Sequence, residues 1–183
     1  MTKEELDANY TPEGIAFDMC VRLNPRPGSR IIDPMCGDGR LLKQLRAMYW
    51  DRDLSFVGYD INIDAIMKCK EWARGKDYFE VMDILDWSNE TYGCNYIIMN
   101  PCFHSPIVEH SIKCALNIFK KGMMYIPFDK PLGFNINALS FDCFELMAYE
   151  KDYLESVFDC EIKYRQGTVY WERADDPSIH PIN

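Results

Sequence analysis

The chain alternates short apolar runs with stretches of helical periodicity, and this alternation constrains its fold more than any other feature. Strands are predicted over residues 30–33, 54–59, 78–82, 95–99 and 122–126. Between them, apolar residues recur three or four positions apart, which predicts amphipathic helices. Alternation of this kind predicts a parallel sheet with helices on both faces. Ligands of such sheets bind beyond the carboxyl ends of the strands.

Helix boundaries are indicated by proline and glycine. Thr11 is expected to cap a helix over 12–23, with Pro12 in its first turn. A helical stripe follows the turn at residues 37–39, another helix is predicted over 64–73, and Ser105 with Pro106 indicates the start of a fourth.

The C-terminal third is predicted to close the sheet. Residues 141–158 place their apolar side chains on one face, as a last helix would, and residues 160–172 predict two strands around a turn at Gln166 and Gly167. The expected α/β fold is therefore a mostly parallel, seven-stranded sheet that ends in an antiparallel hairpin.

Composition limits the classes of function. A chain of 183 residues, 48% hydrophobic and 27% charged, suits a single globular domain over 1–183, with no separate target-recognition domain. The net charge of −9 disfavours nucleic-acid binding through bulk charge, so a nucleic-acid substrate would need a local basic patch or a basic partner. No apolar run predicts a membrane span and the first residues are no secretory signal, so we expect a cytoplasmic protein.

Metal binding is not expected. The eight cysteines include no C-x-x-C pair, and the three histidines are scattered, so the thiols are expected to be free and reduced.

The first predicted strand ends in Asp33-Pro34-Met35-Cys36-Gly37-Asp38-Gly39. Its glycines allow the backbone to approach a ligand closely, and the loop opens a helix whose N-terminus favours negative groups. A plain strand-to-helix turn remains the alternative.

Acidic residues also follow the next two strands. Asp60 could accept hydrogen bonds from two ribose hydroxyls, or could simply cap the following helix. Asp83 could accept from an adenine amino group, or could be a solvated loop residue. Three such acids together are more specific than any one alone.

The fourth strand ends in Asn100-Pro101-Cys102-Phe103. With Tyr10-Thr11-Pro12 and the loops above, this segment resembles class I S-adenosylmethionine-dependent methyltransferases, and more narrowly the gamma-type DNA adenine-N6 methyltransferases, whose motif is N-P-P-F/Y. The resemblance covers about residues 10–127. It implies a Rossmann-like methyltransferase fold and S-adenosyl-L-methionine as cofactor.

The resemblance assigns cofactor-binding roles to residues at the strand ends. Asp60 would hold the ribose hydroxyls and Asp83 the adenine amino group. The full set, from the methionine end to the adenine end, is Tyr10, Thr11, Pro12, Asp33, Met35, Cys36, Gly37, Asn100, Asp60, Ile61, Asp83 and Ile84.

The same resemblance assigns catalysis to residues 100–103. Asn100 and the Pro101 carbonyl would accept the two hydrogens of the target amino group, and Phe103 would stack on the target base. Cys102 replaces the usual second proline, which leaves both acceptors in place but removes a fixed φ. The expected substrate is DNA rather than RNA. A protein amide, or a non-catalytic role in a complex, stays open.

Target recognition is expected to need help, because the fold uses nearly the whole chain. A protein partner could supply it. Within the chain, the candidate contacts are the loop over 128–140 and the basic residues Lys113, Lys120, Lys121 and Lys130, which we expect near the cleft.

Overall fold

The computed structural model describes residues 10–87, 91–102, 105–119, 121–127, 143–158 and 166–172. Its helices and strands alternate along the chain almost throughout. In chain order they are α1 (Glu13–Leu23), β1 (Arg30–Asp33), α2 (Arg40–Met48), β2 (Ser55–Asp60), α3 (Ile63–Trp72), β3 (Tyr78–Val81), a 3₁₀ turn (Ile84–Asp86), β4 (Tyr96–Met99), α4 (Ser105–Ile118), β5 (Lys121–Pro127), β6 (Cys143–Ala148), α5 (Lys151–Phe158) and β7 (Gln166–Glu172).

The described strands form one seven-stranded sheet in the order β3-β2-β1-β4-β5-β7-β6. The pairs from β3 to β5 are parallel, and β7 lies antiparallel between β5 and β6. This arrangement confirms the predicted α/β fold with a mostly parallel sheet. The carboxyl ends of β1, β2 and β4 consequently lie side by side.

Strand alternation divides the core into two layers, because successive side chains point to opposite faces of a sheet. Ile31 packs with the buried residues of α1, α2, α3 and α5, whereas the adjacent Ile32 packs with those of α4 and the 3₁₀ turn. Ile98 and Ile97 divide in the same way. Helices therefore cover both faces, as predicted.

At the amino-terminal ends of the strands, a buried carboxylate links α2 to the sheet. Asp77 accepts hydrogen bonds from the backbone N–H of Phe56 at 3.0 Å and of Arg74 at 2.7 Å. Arg46 donates to the same carboxylate at 2.6 Å, and the Asp77 side chain is only 1% exposed. This interaction ties α2 to the starts of β2 and β3.

The predicted cap of α1 is wrong by one residue. Pro12 occupies the N-cap position, and no side chain caps this helix. Thr11 instead lies buried before it. A proline in that position removes one of the four backbone N–H groups that lack an intrahelical partner at a helix start, and the others receive no side-chain cap.

The predicted turn of the C-terminal hairpin is wrong, and the antiparallel partners of β7 are β5 and β6. Gln166 and Gly167 lie inside β7, opposite Ala148 of β6 and Pro127 of β5. A Cβ on Gly167 would lie 2.3 Å from the Met147 carbonyl oxygen, so the glycine is required by close strand contact rather than by a turn. The other predicted arm, residues 160–165, lies outside the described residues.

The segment 141–158 is also corrected, because it holds a strand, β6, followed by the helix α5. Residues 141 and 142 are outside the described ranges. None of the helices in those ranges combines the length and hydropathy needed to cross a membrane.

Candidate functional site

The loop after β1 is tied to its neighbours by backbone hydrogen bonds. The Cys36 N–H donates to the Tyr59 carbonyl of β2 at 2.8 Å, and the Gly39 N–H donates back to Cys36 at 2.8 Å. Gly37 and Gly39 have φ angles of +52° and +76°. This region favours glycine, because an L side chain would approach the backbone too closely.

Gly39 is also the point where the loop rests on α3. A Cβ at this position would lie 2.6 Å from Trp72 Cζ2 and 2.9 Å from the Cys69 sulfur. The loop therefore has no room for any side chain there. Sequence reasoning identified the glycines, but it gave no sign that Trp72 and Cys69 form the surface beneath them.

Asp60, the last residue of β2, binds the same loop. Its carboxylate accepts from the Gly37 N–H at 2.7 Å and from the Asn62 N–H at 2.9 Å. The cap of α3 is Asn62, whose side chain accepts from the backbone N–H groups of Asp64 and Ala65. The alternative reading of Asp60 as a helix cap is therefore wrong.

Asp33 and Asp60 form an uncompensated acidic pair. Asp33 is only 1% exposed. Burial raises the pKa of Asp33 well above its usual range and the nearby Asp60 charge adds to this, while the hydrogen bond from the Met35 N–H lowers it. Burial likewise raises the pKa of Asp60, against the two backbone donors. Among the described residues, no basic side chain contributes to either shift, so positive charge on a ligand would be favoured here.

The Tyr10-Thr11-Pro12 motif lies against the glycine loop that follows β1. A Cβ on Gly37 would come within 3.1 Å of the Tyr10 ring. The Arg40 guanidinium stacks 4.2 Å from the centre of that ring and donates to the Thr11 carbonyl at 3.3 Å. The structure thus brings Tyr10 and Thr11 to the glycine loop, with Pro12 next in the chain. Sequence reasoning missed Arg40, although its place directly after Gly39 was a usable signal.

The residues expected at the adenine end of the cofactor differ in their exposure. Ile61 is 41% exposed at the end of β2, whereas Ile84 is 5% exposed and packs in the core. Asp83 accepts from the Leu85 N–H at 3.0 Å and so caps the 3₁₀ turn. The Met82 N–H donates to the Asp60 carbonyl at 3.1 Å, which holds these two strand ends together.

The remaining residues of the loop are held on both sides of the sheet. The Met35 sulfur lies 3.4 Å from the hydroxyl oxygen of Ser111 in α4, which donates its hydrogen bond to the Ile107 carbonyl at 2.7 Å. The Cys36 side chain is buried with its sulfur 3.9 Å from that of Cys69, and this thiol and burial raise the Cys36 pKa. Only the backbone of Cys36 is therefore suited to ligand contact.

The Asn100 segment continues directly from β4, the neighbour of β1. Asn100 is partly exposed, Pro101 is buried and Cys102 is exposed. Phe103, the expected stacking residue, lies outside the described residues. Asp33, Asp60 and Asn100 therefore mark the ends of three adjacent strands.

The expected basic contact surface is not assembled as predicted. Lys121 is the first residue of β5 and so lies at the amino-terminal ends of the parallel strands, whereas Asn100 lies at their carboxyl ends. There Lys121 stacks on Tyr170 and lies 3.6 Å from Glu172. A strand that begins at Lys121 must place this residue at its amino end. Lys113 lies in α4, and Lys120, Lys130 and the loop over 128–140 are outside the described residues.

Within the described part of the chain, no group of three or more metal-binding side chains could hold an ion.

Comparison with solved structures shows the same fold in methyltransferases of low sequence identity. A putative RNA methyltransferase from Pyrococcus horikoshii is 13% identical, with a TM-score of 0.67 over 95% of this chain and 91% of that one. An RNA methyltransferase from Salinibacter ruber, in complex with S-adenosyl-L-homocysteine, is 10% identical, with a TM-score of 0.62 over 95% and 99% of the two chains.

A modification subunit of a putative type I restriction enzyme from Vibrio vulnificus is 13% identical, with a TM-score of 0.69 over 90% of this chain and 44% of that one. The chain spans about half the length of several other similar structures. These likenesses show that the fold is the Rossmann-like methyltransferase fold.

No curated protein matches the chain. A family model described as a methyltransferase domain matches residues 25–158, which include β1 through α5 and the strand ends described above. The chain therefore belongs to the methyltransferase domain family.

Proposed function

We propose that this chain transfers a methyl group from S-adenosylmethionine to the N6 amino group of adenine in DNA. The observation that carries the proposal is the position of Asn100 and Pro101. They follow β4 directly, and β4 pairs in parallel with β1, through Ile32 and Ile97, so their segment and the Asp33 loop leave the sheet side by side.

The strand ends fit the cofactor. Gly37 and Gly39 hold the loop after β1 in a positive-φ conformation, and glycines of this kind let the loop backbone approach a ligand closely. Asp33 supplies a buried carboxylate and Asp60 a partly buried one, and such groups favour an ammonium group and hydroxyl donors. When bound, S-adenosylmethionine supplies an electrophilic methyl group on a sulfonium. The same fold in complex with S-adenosyl-L-homocysteine supports this cofactor.

The Asn100 segment suits an amino nitrogen that is conjugated to a ring. Such a nitrogen is a poor nucleophile because its lone pair is delocalised. The Asn100 side-chain carbonyl and the Pro101 carbonyl would accept its two N–H hydrogens, which favours a pyramidal nitrogen with an available lone pair. One proton leaves the nitrogen after transfer, when the methylated amine is acidic, so these residues act by position and hydrogen bonding.

The choice of DNA rests on the N-P-C-F motif and on the likeness to the restriction-enzyme subunit. RNA is the second candidate, because the likeness to one RNA methyltransferase and one putative RNA methyltransferase extends over nearly the whole of those chains. The conjugated amino group and the roles of Asn100 and Pro101 are the same in both.

A transfer assay with methyl-labelled cofactor tests the proposal. Adenine-containing DNA, RNA and a protein extract would be offered, and the labelled nucleoside identified by mass spectrometry. We expect N6-methyladenine in the DNA arm and its loss in Asn100→Ala with cofactor binding retained. Asn95→Ala is the matched control, because Asn95 precedes β4 at its other end and bonds the Arg30 N–H. Label confined to RNA or protein would overturn the choice of DNA, and full activity of Asn100→Ala would overturn the mechanism.

A further inference from the structure

A groove opens beside the candidate site, between α1, α2 and α5. Its volume is about 420 Å³, and its lining residues are Glu13, Gly14, Phe17, Asp18, Gln44 and Tyr153. We call it the α1–α5 groove. Glu13 and Gly14 begin α1 directly after the Tyr10–Pro12 segment that rests on the glycine loop, so the groove adjoins the candidate site.

The chemistry of the α1–α5 groove favours a cation. Glu13 and Asp18 are its charged lining residues, and no basic side chain is among the residues that line it. Phe17 and Tyr153, which also line the groove, are 49% and 39% exposed. Carboxylates beside open aromatic faces suit an ammonium or guanidinium group.

Side chains behind the groove contact its walls. The Tyr149 hydroxyl donates to Asp18 at 3.5 Å, and the Tyr149 ring lies 5.9 Å from that of Tyr153. Tyr149 thus contacts one carboxylate and one aromatic ring of the groove. Gly14 keeps the space open, since a Cβ there would lie 3.0 Å from the Tyr153 hydroxyl oxygen.

We propose that the α1–α5 groove binds an arginine- or lysine-bearing segment of a protein partner. Charge decides between partners, because Glu13 and Asp18 repel a phosphate backbone and attract a basic peptide. The net charge of −9 acts in the same direction. A partner seated here would lie next to Tyr10 and the glycine loop, where it could present a substrate that the acidic chain itself binds poorly.

Titration of the full chain with blocked tetra-arginine, followed by backbone NMR, tests this proposal. Blocked tetra-citrulline, which is of similar size but uncharged, is the control peptide. We expect tetra-arginine to shift signals of α1 and of the first turn of α5. Glu13→Gln with Asp18→Asn should weaken binding at least about fivefold, equivalent to about 1 kcal/mol. The same charge change at Asp64 and Glu71, which are exposed on α3, is the matched control and should change affinity less than twofold, or about 0.4 kcal/mol.

A second variant separates binding in the groove from general attraction. Gly14→Leu fills the groove without changing charge. The atom it would meet is the hydroxyl at the end of the exposed Tyr153 side chain, which can move aside, and leucine suits a helix better than glycine, so the fold should be retained. We expect this variant to lose tetra-arginine binding. Undiminished binding by Gly14→Leu, equal weakening by the α3 control pair, or signals of α1 that shift with protein concentration alone would each overturn the proposal. The last result would mean that a second copy covers the groove.

Discussion

Replacement of Gly39 by alanine should destabilise the protein through two separable effects. Its φ of +76° costs an L residue about 1–2 kcal/mol. The new Cβ would also press on Trp72 and Cys69, at 2.6 Å and 2.9 Å, and overpacking of this kind costs about 1–3 kcal/mol. The expected loss in unfolding free energy is therefore about 2–5 kcal/mol.

Two other glycines isolate each effect. Gly28 has the same φ of +76° but no atom within 4 Å of its Cβ position, so alanine there should cost only the backbone part, about 1–2 kcal/mol. Gly75 has neither a positive φ nor a neighbour, so alanine there should be neutral or should stabilise by up to about 1 kcal/mol through the unfolded chain.

Urea denaturation of the three variants and the parent measures these differences, and thermal melting provides a check at about 2–4 °C per kcal/mol. The order of stability should be Gly75→Ala, then Gly28→Ala, then Gly39→Ala. If Gly39→Ala were no less stable than Gly28→Ala, the contact of the loop with Trp72 and Cys69 would be refuted.

Other predictions concern single side chains. Asp33→Asn keeps an acceptor for the Met35 N–H but removes a carboxyl whose pKa burial raises above its unfolded value. The wild type loses stability as pH rises from the unfolded pKa through the folded one, by about 1.4 kcal/mol for each pH unit between them. The thermal stability of the variant should therefore equal that of the wild type in acid and exceed it towards neutral pH. Its cofactor affinity, measured by calorimetry, should fall. Asp77→Ala leaves Arg46 without this partner and should cost about 3 kcal/mol of unfolding free energy in urea. Cys102→Ala should retain methyl transfer in the labelled assay, because neither proposed acceptor belongs to Cys102, and a loss of transfer with cofactor binding intact would contradict that assignment.

The parallel part of the fold could be predicted because each strand there is a short apolar run with a polar end. The predicted bounds of β1 are those of the structure. Those of β3 and β4 differ by one residue at one end, and those of β2 and β5 differ by one residue at each end. The packing of alternate residues, such as Ile31 and Ile32, on opposite faces explains why the runs are continuously apolar.

The C-terminal part could not be predicted in the same way, because its signals depend on long-range contacts. Gly167 has the sequence pattern of a turn, yet it is required where β6 passes close to β7. Lys121 belongs to a basic run, yet its place at the start of β5 puts it at the amino-terminal ends of the strands, away from the candidate site. Neither relation exists before the sheet has formed.

Within the candidate site, the sequence indicated Asp33, Gly37 and Asp60 because each follows a strand end. It could not indicate that Asp60 bonds the Gly37 N–H, or that Arg40 stacks on Tyr10, because these contacts join distant or conformationally free groups. The loops after β1 and β2 therefore act as one hydrogen-bonded unit, which the motif pattern alone does not reveal.

Calorimetric titration of the full chain with S-adenosylmethionine, with S-adenosylhomocysteine alongside, tests the central claim most directly. Saturable binding at one site is expected, and Asp60→Ala should weaken it at least about tenfold, or about 1.4 kcal/mol, because Asp60 is proposed to hold the ribose and also holds the glycine loop. No binding of either ligand at millimolar concentration, or unchanged affinity in Asp60→Ala, would contradict the placement of the cofactor at these strand ends.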